Sequence, residues 1–199
     1  MAEAALLRKL IDTHSLTFAS ALEHARSSHK PLPMGSEIEP LLPDGGLPRG
    51  SVIELSAPNG LGTLTRFALT ACAKAQEEGR QRCGESVWCA WIDPNQTLYA
   101  PSVQAFGVDL ERLLFVRSPR TAMLRVALQL AQARIFPVLV IDVSGVPGTT
   151  DGTLAPRTES LSAWVRAARR LALSIEMSKT IVLLITDADA LLDLCPVYG

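Results

Sequence analysis

Ser51-Val-Ile-Glu-Leu-Ser-Ala-Pro-Asn-Gly-Leu-Gly-Thr-Leu-Thr65 sets a short run of β-forming residues before a Gly-containing turn and a helical pattern. Strand, turn and helix in that order form the context in which a Walker A loop holds phosphates, because backbone N–H groups at the helix start converge on the anion. The loop pattern G-x-x-x-x-G-K-[ST] needs a glycine at position 57, a lysine at 63 and a hydroxyl at 64. The chain has Ala57, Thr63 and Leu64, and of the four defining positions it keeps only Gly62. A lysine about 4 Å from a phosphate contributes roughly 4 kcal/mol at an effective dielectric near 20, close to three decades in affinity. Thr63 carries no such charge, and Leu64 has no oxygen for Mg²⁺. Gly60 and Gly62 read as a tight strand-to-helix turn.

Outward from this stretch, apolar runs and helical patterns alternate. After the run Ser51 to Leu55 come a helix from Leu64 to Glu78, a run from Val87 to Ile92, and a weaker helix near Ser102 to Phe106. The run Leu113 to Val116, a helix from Thr121 to Arg134, the run Val138 to Ile141, a helix from about Thr158 to Met177, and the run Thr180 to Ile185 complete the series. Short continuous apolar strands separated by helices predict a mainly parallel sheet covered on both faces, a three-layer α/β fold.

On the N-terminal side, Leu7, Ile11, Phe18 and Leu22 recur at helical spacing, so an amphipathic helix is expected over residues 1–30. Pro31, Pro33, Gly35, Pro40, Pro43, Gly45 and Gly46 then crowd into residues 31–46, a density that predicts a linker. The core domain is expected over 47–199. The last residues, from Asp187 on, end without a further element that can be placed, as in a piece of a longer chain.

Nineteen Lys and Arg against twenty Asp and Glu give a net charge of -1, which removes the basic excess of a non-specific nucleic-acid binder. The longest apolar runs fall far short of a membrane-spanning helix, and the N-terminal stretch is broken by Glu3, Arg8 and Lys9, unlike a signal peptide. A cytoplasmic protein is expected. Cys72, Cys83, Cys89 and Cys195 lack C-x-x-C spacing and read as reduced thiols rather than metal ligands.

Three segments carry a family resemblance. Leu42-Pro-Asp-Gly-Gly-Leu-Pro-Arg-Gly-Ser-Val-Ile-Glu-Leu55 resembles the Gly-Gly-Leu-Pro-x-Gly-x-x-x-Glu approach to the ATPase core of RecA recombinases. Ala90-Trp-Ile-Asp-Pro-Asn-Gln-Thr-Leu98 resembles the end of the second RecA strand, and Phe106-Gly-Val-Asp-Leu-Glu-Arg-Leu-Leu-Phe-Val116 resembles the glycine-valine-aspartate segment that follows. Val138-Leu-Val-Ile-Asp142 falls at the Walker B strand. The resemblance implies a RecA-like P-loop ATPase core with a degenerate nucleotide site at Gly60, Gly62, Thr63, Leu64, Asn95 and Asp142. Asn95 stands where the family has the water-orienting glutamate, and an amide cannot act as a general base. Thr186-Asp187 replaces the asparagine-glutamine pair that senses the γ-phosphate. No catalytic residue, cofactor or metal is expected, and the chain reads as a pseudo-ATPase.

The loop Ser144 to Pro156, which touches DNA in RecA, contains neither Lys, Arg nor an aromatic, so weak or no direct DNA binding is expected. Arg166, Arg169 and Arg170 on the following helix suit a solvated face opposite the stripe Leu161, Val165, Ala168 and Ala172, or else a phosphate contact. RecA protomers dock through an N-terminal helix, and Phe18-Ala-Ser-Ala21 resembles the Phe-x-x-Ala docking pattern, which makes Phe18, Ala21 and Leu22 partner-binding candidates. Among degenerate RecA relatives the sequence is most similar to the ImuA family. That similarity implies a non-enzymatic regulator of translesion synthesis within the SOS response, whose partners are RecA, an ImuB-like Y-family polymerase homologue and an error-prone polymerase. A nucleotide-binding switch or weak ATPase, and a SulA-like cell-division inhibitor, are the alternative readings.

Overall fold

The computed structural model describes residues 29–57, 63–119, 121–143 and 158–187. The expected N-terminal helix with Phe18, Ala21 and Leu22, the turn holding Gly60 and Gly62, the loop Ser144 to Pro156 and the final residues lie outside the described residues. Five strands, β1 (Ser51–Ala57), β2 (Cys89–Ile92), β3 (Leu113–Val116), β4 (Val138–Asp142) and β5 (Ile181–Asp187), form one sheet in the order β1-β5-β4-β2-β3. Every pairing is parallel. Helices α1 (Thr63–Cys83), α2 (Ala100–Ala105), α3 (Met123–Ala133) and α4 (Thr158–Ile175) lie between the strands in sequence, as a parallel sheet requires.

Side chains of a strand alternate between faces, and the two cores follow that period. Ile53, Leu55, Trp91, Val138, Val140, Ile181 and Leu183 meet Phe67, Leu69 and Cys72 of α1 on one side. Val52, Ala90, Ile92, Leu139, Ile141, Val182 and Leu184 meet Met123 and Ala127 of α3 and Leu171 and Ile175 of α4 on the other. The inner strands therefore have no polar face, which explains why they read as unbroken apolar runs. The expected three-layer α/β architecture is the observed one. On α4 the core side is Ala167, Leu171 and Ile175, whereas Ala168 and Ala172, expected to lead the stripe, are only half-buried.

The Pro/Gly-rich stretch 31–46 differs from the expected linker, because it is packed onto the α1 side of the sheet. Leu32 and Leu47 have no exposed surface and exchange antiparallel backbone hydrogen bonds of 2.8 and 2.9 Å. Met34 and Leu42 are buried in the same cluster. Arg49, also buried, donates from Nε to the Lys30 carbonyl at 2.9 Å and pairs with Glu78 of α1. Proline restricts φ and removes a donor without preventing burial of the apolar residues beside it, so the composition disguised a packed segment. Gly46 serves this contact: a Cβ there would lie 2.5 Å from the Leu32 carbonyl oxygen.

Candidate functional site

In open parallel sheets, ligands bind beyond the carboxyl ends of the strands, where the loops diverge. Here β1, β5, β4 and β2 bring Ala57, Thr186, Asp142 and Asp93 to that edge in order, through the pairs Ser56↔Thr186, Asp142↔Ile185 and Ile92↔Ile141. Helix α1 starts at Thr63 beside them.

Each position has a specific environment. Thr63 is buried, and Leu64 packs against the core on the α1 side of the sheet. Both residues therefore pack against protein. Arg66 is the one cation in the first turn of α1, and its guanidinium sits 5.6 Å from the Phe106 ring centre. Asp142, at the end of β4, is 6% exposed, and the next amide, Val143, donates to the Ile185 carbonyl at 2.9 Å. The Thr186 hydroxyl donates to Glu54 at 3.0 Å and lies 3.3 Å from the Leu55 carbonyl oxygen, which joins β5 to β1 by side chains as well as by the ladder.

Asp93, with no exposed surface, accepts from the Asn95 amide at 3.0 Å and from the Leu98 amide at 2.8 Å. Both oxygens are thus used in shaping the loop after β2, and that loop holds Asn95, which is half-buried. A carboxylate that accepts backbone donors within its own loop is a turn organiser. Sequence reasoning assigned no role of their own to Asp93 and Glu54. The available signal was an isolated acid within or just after an apolar strand, which needs a partner once buried.

Asp142 and the loop that holds Asn95 follow the carboxyl ends of β4 and β2, and Thr63 opens α1 after β1, with Leu64 packed against the core. Arg166, Arg169 and Arg170 lie apart on α4, all exposed. Among the described residues there is no group of three or more His, Cys, Asp or Glu placed to hold a metal ion, and no helix long and apolar enough to cross a membrane.

Curated relatives share this region. The chain is similar to protein RecA of Acidiphilium cryptum, 35% identical over 146 residues, covering 70% of this chain and 40% of the relative. It is similar to protein RecA of Bartonella quintana, 33% identical over 164 residues, covering 77% of this chain and 44% of the relative. RecA of Rhizobium leguminosarum bv. viciae is 33% identical over 153 residues, again 40% of its length. The chain therefore spans well under half the length of these relatives. Residues 40–183, which run from the packed Pro/Gly-rich segment to the middle of β5, match the MT3502 N-terminal domain. With that span and a RecA-like parallel core, the chain belongs to the MT3502 N-terminal domain family and is homologous to RecA.

Proposed function

We propose that the chain is a non-catalytic RecA-like adaptor in translesion synthesis and damage-induced mutagenesis, which binds RecA and mutasome partners in the cytoplasm and restrains RecA filaments. The mutasome partners are an ImuB-like Y-family polymerase homologue and an error-prone polymerase. The observation that carries the reading is Thr63 together with Leu64. The first is buried without charge and the second packs against the core, so position 63 offers no ammonium to a phosphate and position 64 no oxygen to Mg²⁺. Asn95, at the position of the water-orienting carboxylate by resemblance, supports the same conclusion. A subunit of this kind adds a docking contact to a filament and no nucleotide-bridged one.

The docking element is the N-terminal segment with Phe18, Ala21 and Leu22. Burying a Phe is worth about 1.5 to 3 kcal/mol, so Phe18→Glu is expected to weaken RecA association at least tenfold, and Ala21→Arg to do so by steric clash. Interferometry on immobilised RecA, with light scattering of filament growth in parallel, tests both. Absence of RecA binding by the unaltered chain would end this reading. Unchanged affinity in the two variants would remove the N-terminal segment from it.

A further inference from the structure

Helix α4 has two unlike faces. Ala167, Leu171 and Ile175 are buried against the sheet, whereas Arg166, Arg169, Arg170 and Leu173 are exposed. At about 100° per residue, Arg166, Arg170 and Leu173 fall within about 60° of one another on the outer side, with Arg169 at the margin. Met177, in the turn that follows, is 78% exposed, and Leu173 is 54% exposed. Arg134 donates to the Ser174 carbonyl at 3.3 Å, which sets the end of α3 beside the last turn of α4. The next residue, Ile135, is 64% exposed. The outer surface of this layer is thus basic in its middle and aliphatic at one end.

Among the described residues the basic part has no ion pair of its own. The ion pairs among the described residues, Arg49 with Glu78, Lys74 with Glu77, Arg82 with Glu78 and Arg112 with Glu85, belong to α1 and its surroundings. None involves Arg166, Arg169 or Arg170. Between Arg166 and Thr180 the one acid is Glu176, in the turn after α4, and no acid occurs from Leu113 to Ile141, a stretch with Arg117, Arg120, Arg125 and Arg134. Among the described side chains, the α3 and α4 layer therefore carries more arginines than acids.

We infer that the outer face of α4, with Ile135 alongside, docks an acidic amphipathic helix of a partner protein. Its carboxylates would meet Arg166, Arg169 and Arg170, and its apolar side chains Leu173, Met177 and Ile135. Charge complementarity names the acidic half of that partner, and the aliphatic end decides its class. A sugar-phosphate chain could use the arginines but has no complement for three exposed aliphatic side chains, and from Arg166 to Met177 the chain has no aromatic on which a base could stack. An arginine fork also suits paired carboxylates. The inference deepens the adaptor reading and rests on it, but it assigns a surface separate from the N-terminal segment.

The test uses the full chain and a labelled 18-residue helical peptide with glutamates in one half of a single face and leucines in the other half. An isomer of identical composition with the order scrambled is the control, and a mixed-sequence single-stranded DNA 20-mer is the second probe. Fluorescence anisotropy at physiological salt is expected to give at least tenfold tighter binding of the ordered peptide than of either control. Arg166→Glu with Arg170→Glu is expected to reduce that binding at least tenfold, and Leu173→Asp with Met177→Asp at least fivefold, with melting temperatures unchanged because all four side chains are exposed. Equal binding of the two peptides, tighter binding of the DNA, or indifference to the Leu173 and Met177 changes would each overturn the inference. RecA association of the same variants separates the two proposals. Retained RecA binding with lost peptide binding isolates the α4 face, whereas RecA binding that is absent in the unaltered chain defeats the adaptor reading whatever the peptide does.

Discussion

Gln76, with no exposed surface, pairs with the backbone of Asp109 in both directions: Nε2 donates to the carbonyl at 3.0 Å and Oε1 accepts from the amide at 2.7 Å. Nε2 also lies 3.3 Å from the Arg112 carbonyl oxygen. One side chain of α1 therefore satisfies the turn that leads into β3. Gln76→Leu keeps the volume but leaves those backbone groups without partners, at a cost of roughly 2 to 3 kcal/mol. For a chain of this length the melting temperature should fall by about 5 to 10 °C. Thermal unfolding by circular dichroism checks this, and a change below about 2 °C would mean that water replaces the amide.

The chain is expected to show no ATPase activity and no Mg²⁺-dependent thermal shift with ATP. Thr63→Lys with Leu64→Thr should not restore turnover, because Asn95 remains. The pair should instead lower stability by about 1 to 3 kcal/mol, because a charge enters a buried position and Leu64 leaves its apolar contacts. A rise of several degrees in melting temperature of the unaltered chain with millimolar Mg-ATP, or turnover by the double variant, would contradict the pseudo-ATPase reading.

Gly79 lies inside α1, where helix propensity alone favours alanine by about 1 kcal/mol. A Cβ there would come within 2.6 Å of Val87 Cγ1, 3.0 Å of the Val87 nitrogen and 3.1 Å of the Glu85 carbonyl oxygen. Two of those atoms are backbone and cannot rotate away. Gly79→Ala should therefore destabilise, by about 1 to 3 kcal/mol in denaturant titration, with the sign opposite to propensity. Stabilisation would show that the chain after α1 moves freely.

Cys72 of α1 and Cys89 of β2 are both buried, and Cys89 Sγ lies 3.8 Å from the Cys72 carbonyl oxygen. The contact with Cys89 and burial push the Cys72 thiol well above the ordinary thiol range. The folded state holds this proton more tightly than the unfolded state, so the stabilisation is complete below the ordinary thiol pKa of about 8.5 and is lost as pH rises through the higher folded value. Stability should fall above about pH 9, and less so in Cys72→Ala after allowance for the lost volume. At pH 8 a thiol reagent should modify exposed Cys83 at once and Cys72 only on unfolding. Rapid reaction of Cys72 in the native state would rule out this packing.

The sequence by itself determined the class of fold and the residue types in the turn between β1 and α1. Strands buried on both faces must be apolar throughout, so Leu113 to Val116 was legible to the residue and Val138 to Ile141 to within one residue of the observed end. That Ala57, Thr63 and Leu64 stand at those positions is a matter of residue type and needs no coordinates. Only the tertiary structure decided where the Pro/Gly-rich segment goes, because Leu32 and Leu47 are buried in a core built from distant strands and α1, and Arg49 meets Glu78, 29 positions away. The same holds for Gln76 and Asp109, 33 positions apart, and for Thr186 and Glu54, 132 apart. Such pairs carry no local periodicity, since each half is an ordinary polar residue until the fold buries it beside the other. The outer face of α4 is the intermediate case: helical spacing placed its arginines together, but the exposure of Leu173, Met177 and Ile135 beside them followed from how α3 and α4 pack on the sheet.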